Sequence, residues 1–504
     1  MMLSVFAHTD HLPAVRAAIA TEPRLDELVV VQDQSPAGAH LLVDERGIGC
    51  PLDWFNDLPP YLLPMPMAFS PGHLLGLVMV RLGNYARAYE LLAGSPELLA
   101  EVDLLNRLQH GAELPPDLEE GWREGGEGLP AFRAAHNRAV LGHYGVWAEA
   151  PALAPVKQSY EQALRLAPND ELRAFSARHY ASLLLDNGEL AAAGALLDRA
   201  IAYALSDEAK FTLMDVQYHA WLAQLTVPYD EALMDRVKNT LWQVLQFYEK
   251  QGKTVQVGLL LTDAAQVANM AQSFAESLGY INRAVQIFGQ EEVPELLGNA
   301  LLRKGTLLYT WAQNGQPQFY RPAMEAYQEA LKVFTKEVAP DIFADIHHNL
   351  GVIYSEIPDE IKKKSIWASL STTSFREALK YYTKAEFPYE YAMICNSYGN
   401  AFTKYPPAVK SDNFARALEQ YDEALRIRTA AELPYERAIT LLNYLEAAWF
   451  VSQGDDQLDP AFYAGLVAKA QEVKHLVTDP ALLAEADRHL AKLAEAEQAV
   501  AGQS

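Results

Sequence analysis

The chain has 504 residues, 50% of them hydrophobic and 21% charged, with a formal net charge of −24. That composition is globular and excludes a disordered or fibrous chain. The acids are spread along the whole length, so the surface repels phosphate backbones at long range and argues against nucleic acid as a partner. The same balance favours a protein or peptide partner that carries basic residues. Cys50 and Cys395 are too few and too far apart for a disulfide framework, which suits a reducing, cytoplasmic setting. No apolar run approaches the length needed to cross a bilayer, so no membrane partner is expected. The opening MMLSVFAHTDHLPAV has no basic region ahead of an apolar core, and no signal peptide is expected.

In chain order, LDELVVVQDQ and AHLLVDERG have the look of short strands, and a Pro-rich stretch, LPPYLLPMPMAFSPG, follows them. Residues 1–70 are expected to form a small mixed α/β or irregular cap over the first helix pair. From residue 71 nearly everything has helical periodicity. HLLGLVMVRLGNYARAYELLA places Leu75 and Gly76 in one helix, Gly83 and Tyr85 at a turn, and Ala88 and Leu92 on the inner face of a second helix. Gly76 and Ala88 are small enough to let two helices approach, Tyr85 and Leu92 fill the space beside them, and Gly83 permits the turn. A pair so tightly connected cannot bury its apolar faces alone and must stack on others. LPPDLEEGWREGGEGLP (114–130) then reads as a loop or linker, near 111–130.

The pattern returns with Tyr160, Ala163 and Pro168, and again with Gly188, Ala193, Leu197 and Ala200. Gly305 is followed by Ala323, Tyr327 and Ala330, and Leu350, Gly351 and Tyr354 by Ala378, Tyr382 and Ala385. Tyr398, Gly399 and Phe402 precede Ala417, Tyr421 and Ala424. One phrase is written almost twice: AEFPYEYAMICNSYGNAF and AELPYERAITLLNYLEAA share Pro, Tyr, Glu and Ala at 388 and 434, 389 and 435, 390 and 436, 392 and 438. APDIFADIHHNLGVIY is a weaker third copy, and Leu445 stands where the last copy would carry Gly.

These residues resemble the tetratricopeptide repeat: a Leu-Gly pair and an aromatic in the first helix, Gly and Tyr at the turn, and Ala, aromatic, Ala in the second. The resemblance covers roughly residues 71–455 and is loose over 204–296. Gly351, Gly399 and Leu445 are spaced more widely than the family's period of about 34 residues. The extra length is assigned to the connections IPDEIKKKSIWASLSTTSF and TKYPPAVKSDNF, with the Lys362–Lys364 run as a solvated turn. Long-period repeats of this kind resemble those of bacterial proteins often fused to caspase-like CHAT peptidase domains, but no peptidase is visible here. The resemblance implies an all-α fold, an α-α superhelical solenoid of helix hairpins. Its parts are a cap (1–70), a solenoid (71–455) and C-terminal capping helices (456–504).

No catalytic, cofactor or metal site emerges from the residues. Cys50 has no sequence context that pairs it with His73, and Cys395 reads as a small buried hydrophobe. HTDH (8–11) and His347-His348 lack the further ligands at characteristic spacing that a metal needs, and no phosphate-binding glycine motif is present. In the repeat family, first helices line the inside of the superhelix. By alignment on Gly351, Gly399 and Leu445, the residues expected there are His348, Asn349, Asn396, Asn400 and Asn443. Asn299, Arg303, Asp345 and Lys404 are expected to point the same way. Asn has no special preference for helices, so a row of it suggests amides that grip the main chain of an extended peptide. The expected function is a noncatalytic scaffold that binds a protein or peptide in this groove. A ligand- or peptide-responsive sensor is the alternative.

Overall fold

The computed structural model describes residues 2–34, 38–55, 58–116, 118, 127–407, 412–451 and 459–501, with side chains to 498. The chain forms two compact units, residues 1–251 and 252–504.

The first unit opens with strand β1 (Leu3–Ala7), helix α1 (Leu12–Ile19), a 3-10 turn (Leu25–Glu27), and strands β2 (Val29–Gln32), β3 (Leu41–Asp44) and β4 (Gly47–Gly49). The sheet order is β2-β1-β3-β4. β1 runs parallel to both neighbours, with Leu3 opposite Val29 and Val5 opposite Leu41, whereas β3 and β4 are antiparallel. Leu3, Val5 and Ala7 are buried and alternate with Ser4 and Phe6, the period-2 pattern of a sheet with one covered face. The mixed α/β segment is therefore present, with two strands beyond those expected. β4 is only Gly-Ile-Gly, and glycine carries no strand signal.

Helices α2 (Pro71–Arg81), α3 (Tyr85–Leu92), α4 (Pro96–His110), α5 (Leu129–Tyr144), α6 (Leu153–Leu166), α7 (Asp170–Asp186), α8 (Leu190–Ile201), α9 (Asp207–Leu222) and α10 (Glu231–Lys250) complete this unit. They pack as pairs α2/α3, α5/α6, α7/α8 and α9/α10, with α4 as a single helix after the first pair. Of the acidic linker, residues 117 and 119–126 lie outside the described residues.

The second unit contains α11 (Thr254–Met270), α12 (Phe274–Gln290), α13 (Pro294–Gln313), α14 (Tyr320–Ala330), α15 (Pro340–Glu356), α16 (Ile361–Tyr381), α17 (Pro388–Lys404), α18 (Asn413–Leu425), α19 (Pro434–Ala448), α20 (Pro460–Leu476) and α21 (Pro480–Ala501). Each odd-numbered helix from α11 to α19 packs against the next, and α21 closes on α19 and α20. Four first helices, α13, α15, α17 and α19, begin on proline. Proline at that position gives up an N–H that has no partner anyway, and its ring presets the helical φ. It also drives the preceding residue out of the helical region, as at Phe387 (φ −133°) and Leu433 (φ −135°). The acid in the first turn, Asp341, Glu390 or Glu436, faces the positive end of the helix dipole. The repeated phrase is thus a helix-start signal.

One expectation about the connections is corrected. Residues from Ile361 onward belong to α16, a helix of 21 residues, because neither Gly nor Pro interrupts IKKKSIWASLSTTSFREALKY. The lysines 362–364 therefore sit in its exposed first turn and not in a loop. The second extra stretch is a real interruption: Pro406 and Pro407 follow the end of α17, and α18 starts where the Asp412 carboxylate caps the N–H groups of Phe414 and Ala415. Residues 408–411 lie outside the described residues.

What joins the helices of a pair is close approach at one glycine. A Cβ on Gly305 would lie 2.9 Å from the ring of Tyr327, and one on Gly351 3.0 Å from that of Phe375. Gly399 faces Tyr421 in the same way, and Gly258 faces Phe288 in the stretch where the repeat pattern is faint. The aromatics opposite these glycines are fully or almost fully buried and cannot swing aside. Gly351→Ala should therefore cost about 1–3 kcal/mol through overpacking. A urea titration would show this as a lower midpoint for the second unit with an unchanged slope.

Candidate functional site

The first helices α15, α17 and α19 lie side by side, and the residues expected to form a binding row lie along them. Asn396 and Asn443 meet: the Asn443 amide donates to Asn396 Oδ1 at 3.1 Å, which leaves the Asn396 N–H groups and the Asn443 carbonyl available. Asn349 is half-buried and has no hydrogen-bond partner among the described residues. Asn400 is spent within its own pair, where it accepts from the Tyr421 hydroxyl at 2.7 Å. His348 turns its ring toward Phe375, and its Nε2 is buried without a partner. Burial pushes its pKa down to about 4, so it is neutral and belongs to the lining of the core.

The charged residues of the row are already engaged. Lys404 pairs with Glu356, a carboxylate that also accepts from the hydroxyls of Tyr309 and Tyr320. Arg303 donates to Gln266, and Asn299 is exposed on α13. Asp345 accepts from Tyr382 at 2.7 Å, and its pKa is raised by burial, against the lowering effect of that bond. Arg303 and Lys404 thus do not converge on a common anion.

The first unit contains a row that the sequence did not announce, and it is occupied. The Pro-rich segment is hydrogen-bonded to α5, and Trp54 ahead of it to α7. The Leu62 N–H donates to Asn137 Oδ1 at 2.8 Å, and the Asn137 amide donates back to the Leu62 carbonyl at 2.8 Å. One asparagine therefore satisfies both main-chain groups of one residue, whatever its side chain. Two residues earlier, the Pro60 carbonyl accepts from His136 Nε2 at 2.8 Å. A carbonyl can only accept, so Nε2 carries the proton and Nδ1 accepts from the Ser176 hydroxyl. Arg178 donates to the Trp54 carbonyl at 2.8 Å, and Trp54 donates to Glu171. The Trp54 ring packs edge-on to Phe175 at 5.2 Å, and Leu52 and Leu62 join the same apolar cluster. The expected cap over the first helix pair thus also straps α5 and α7. Asn137, His136 and Arg178 were missed because the row was aligned only on Gly351, Gly399 and Leu445, although His136-Asn137 precedes Ala139 as His348-Asn349 precedes Gly351. The signal that was present is a buried Asn-His pair facing a segment rich in proline, which offers carbonyls but few N–H groups.

Cys50 lies beside Arg81 and not His73, whose ring bonds to Ala68 and Ser95. Burial pushes the Cys50 thiol up, away from a reactive thiolate. Among the described residues no group of three or more His, Cys, Asp or Glu is arranged to hold a metal, and no helix is long and apolar enough to cross a membrane.

Stacked helix pairs, joined by a glycine-aromatic approach and presenting polar first-helix faces, define a protein of tetratricopeptide-like repeats. No protein-family model matches the sequence, and no curated protein is detectably similar to it. Among solved structures, it is similar to a signal-transduction ATPase with numerous domains that carries a tetratricopeptide repeat sensor, from Pyrococcus horikoshii. That match has 13% identity and a TM-score of 0.47, over 99% of this chain and 82% of the other. The C-terminal part of a repeat-containing protein from Cytophaga hutchinsonii matches 61% of this chain over 98% of its own, at 11% identity and a TM-score of 0.40. Yeast Tom70 matches 84% over 87%, at 14% identity and a TM-score of 0.28.

Two measurements test the strapped row. Asn137→Ala removes both bonds to Leu62, and hydrogen exchange of residues 58–65 should quicken about tenfold, as expected for the loss of buried hydrogen bonds. The histidines set a pH dependence. Burial pushes His136 down to about 4 and His179 well below its ordinary value, so the unfolded chain binds more protons than the folded one. This contribution is complete above about pH 6.5 and is lost as pH falls toward 4. Urea midpoints should fall over that window, and His136→Gln should flatten the slope by about one proton.

Proposed function

We propose that this protein is a noncatalytic scaffold that binds an extended peptide segment of a partner protein along α15, α17 and α19. Asn349, Asn396 and Asn443 hold the peptide main chain there. The observation that carries this reading is the Asn137 clamp: in the first unit the same chain holds a Pro-rich segment by its main chain with an asparagine on a first helix. The unspent amide groups of Asn396, Asn443 and Asn349 supply the same donors and acceptors to a segment from another chain. Because an amide reads N–H and C=O rather than side chains, recognition depends on extended conformation, and sequence preference comes from the flanks. The acidic balance of the chain favours a segment with basic residues.

The test is affinity capture from the cell's own lysate, read by mass spectrometry, with the wild-type chain and the triple variant Asn349→Ala, Asn396→Ala, Asn443→Ala. The triple variant should lose the captured partner while helicity and melting temperature stay unchanged. Asn400→Ala is the matched control: it should lower the melting temperature, because the Tyr421 hydroxyl loses its acceptor, and keep the partner. Full capture by the triple variant would rule out the asparagine row as the binding surface.

A further inference from the structure

Beneath the strap the first unit holds a partly open cavity of about 330 Å3. Leu58, Leu63 and Met65 of the strap, Leu77 and Val80 of α2 and Leu105 of α4 give it an apolar wall. That size is at the small end of ordinary ligand pockets, about 300–1,000 Å3. Of its polar lining, Arg133, Asn169 and Glu171 are bonded to Glu101, Leu172 and Trp54, whereas Arg81 and Asp53 face each other with only 12% and 13% of their side chains exposed. Their closest atoms are 3.7 Å apart, beyond a direct hydrogen bond. Asp53 Oδ2 accepts from the Leu58 N–H at 2.7 Å, and Oδ1 has no partner among the described residues. Arg81 lies against the Cys50 thiol and reaches no oxygen within hydrogen-bond distance, although a guanidinium carries five N–H donors.

The pair therefore balances in charge but not in hydrogen bonds. A charged ligand would leave one charge too many in an apolar cavity, which is costly. What the pair lacks is an acceptor for Arg81 and a donor for Asp53, side by side, and an amide group presents both. We propose that this cavity binds a small, largely apolar molecule carrying one uncharged amide, whose carbonyl accepts from Arg81 and whose N–H donates to Asp53. Its apolar body displaces weakly held water from the leucine-lined wall, and the strap covers it. The site is separate from the asparagine row of the second unit and stands whether or not that row binds peptide.

The experiment uses the full chain with three eight-carbon probes: octanamide, octanoate and 1-octanol. Binding is measured by titration calorimetry and by the shift in melting temperature at saturating probe. Octanamide should raise the melting temperature at saturation and bind at least about tenfold more tightly than octanoate. Arg81→Met should abolish the preference for octanamide over 1-octanol. Should that variant fail to fold, Leu77→Trp fills the cavity without touching the polar pair and should abolish binding of all three. The proposal is overturned if octanamide gives no heat and leaves the melting temperature unchanged, if octanoate binds as tightly, or if Leu77→Trp keeps full affinity for the amide.

Discussion

A helix pair closed by a turn of a few residues can bury the seam between its two helices and little else. Everything in this protein follows from that shortage. Each seam is drawn tight where a glycine of the first helix meets an aromatic ring of the second, as Gly351 meets Phe375 and Gly399 meets Tyr421. With the seam closed, the remaining apolar surface of each pair points along the stack, where only another pair can cover it. Tyr398 of one pair stacks on Phe375 of the pair before it at 4.8 Å, and Tyr421 of its own pair leans toward Tyr444 of the next. From α15 to α21 most buried apolar residues accordingly belong to one cluster, from Ala344 to Leu493, with Ala392, Cys395 and Ala424 in a smaller one.

A stack built this way leaves one face of every first helix without a structural duty, and that face is where this chain places its amides. In the first unit the face is covered by the chain's own strap, and in the second it carries asparagines with unspent groups. The difference lies in what the neighbouring segment offers. Residues 58–66 contain four prolines, which cannot join a sheet ladder and favour extended backbone, so the segment satisfies its carbonyls on helix side chains. Asn137 and His136 do for this segment what a neighbouring strand would do for an ordinary one.

The helix pairs were readable in the sequence because their cause is local. Small residues, aromatics and turn glycines recur at fixed offsets, and the proline that starts a helix acts on its immediate neighbours. The start of α16 was misplaced because nothing local marks it: IPDE lacks a strong cap, and the lysines that follow suit an exposed helix as well as a loop. The strand β4 escaped for a similar reason, since two of its three residues are glycine. Asn396 and Asn443 were placed from repeat register alone and do stand together. His348 and Asn400 share that register, yet each is drawn toward an aromatic ring of its own pair, a choice made by packing and not by spacing. What Asn137 and Arg178 hold could not be found by register, because it lies far away in the chain.

That separation has a consequence for how such a protein can change over time. Arrays of stacked pairs usually gain or lose a pair with little penalty, because each pair touches only its neighbours. The second unit obeys that rule. The strap breaks it in the first, since Trp54 is held by Arg178 and Leu62 by Asn137 across most of the intervening helices. Duplicating or deleting a pair between α2 and α7 would carry these anchors out of reach of the main chain they hold. The strap therefore fixes the number of repeats in the first unit like a ruler, while the second unit stays free to lengthen.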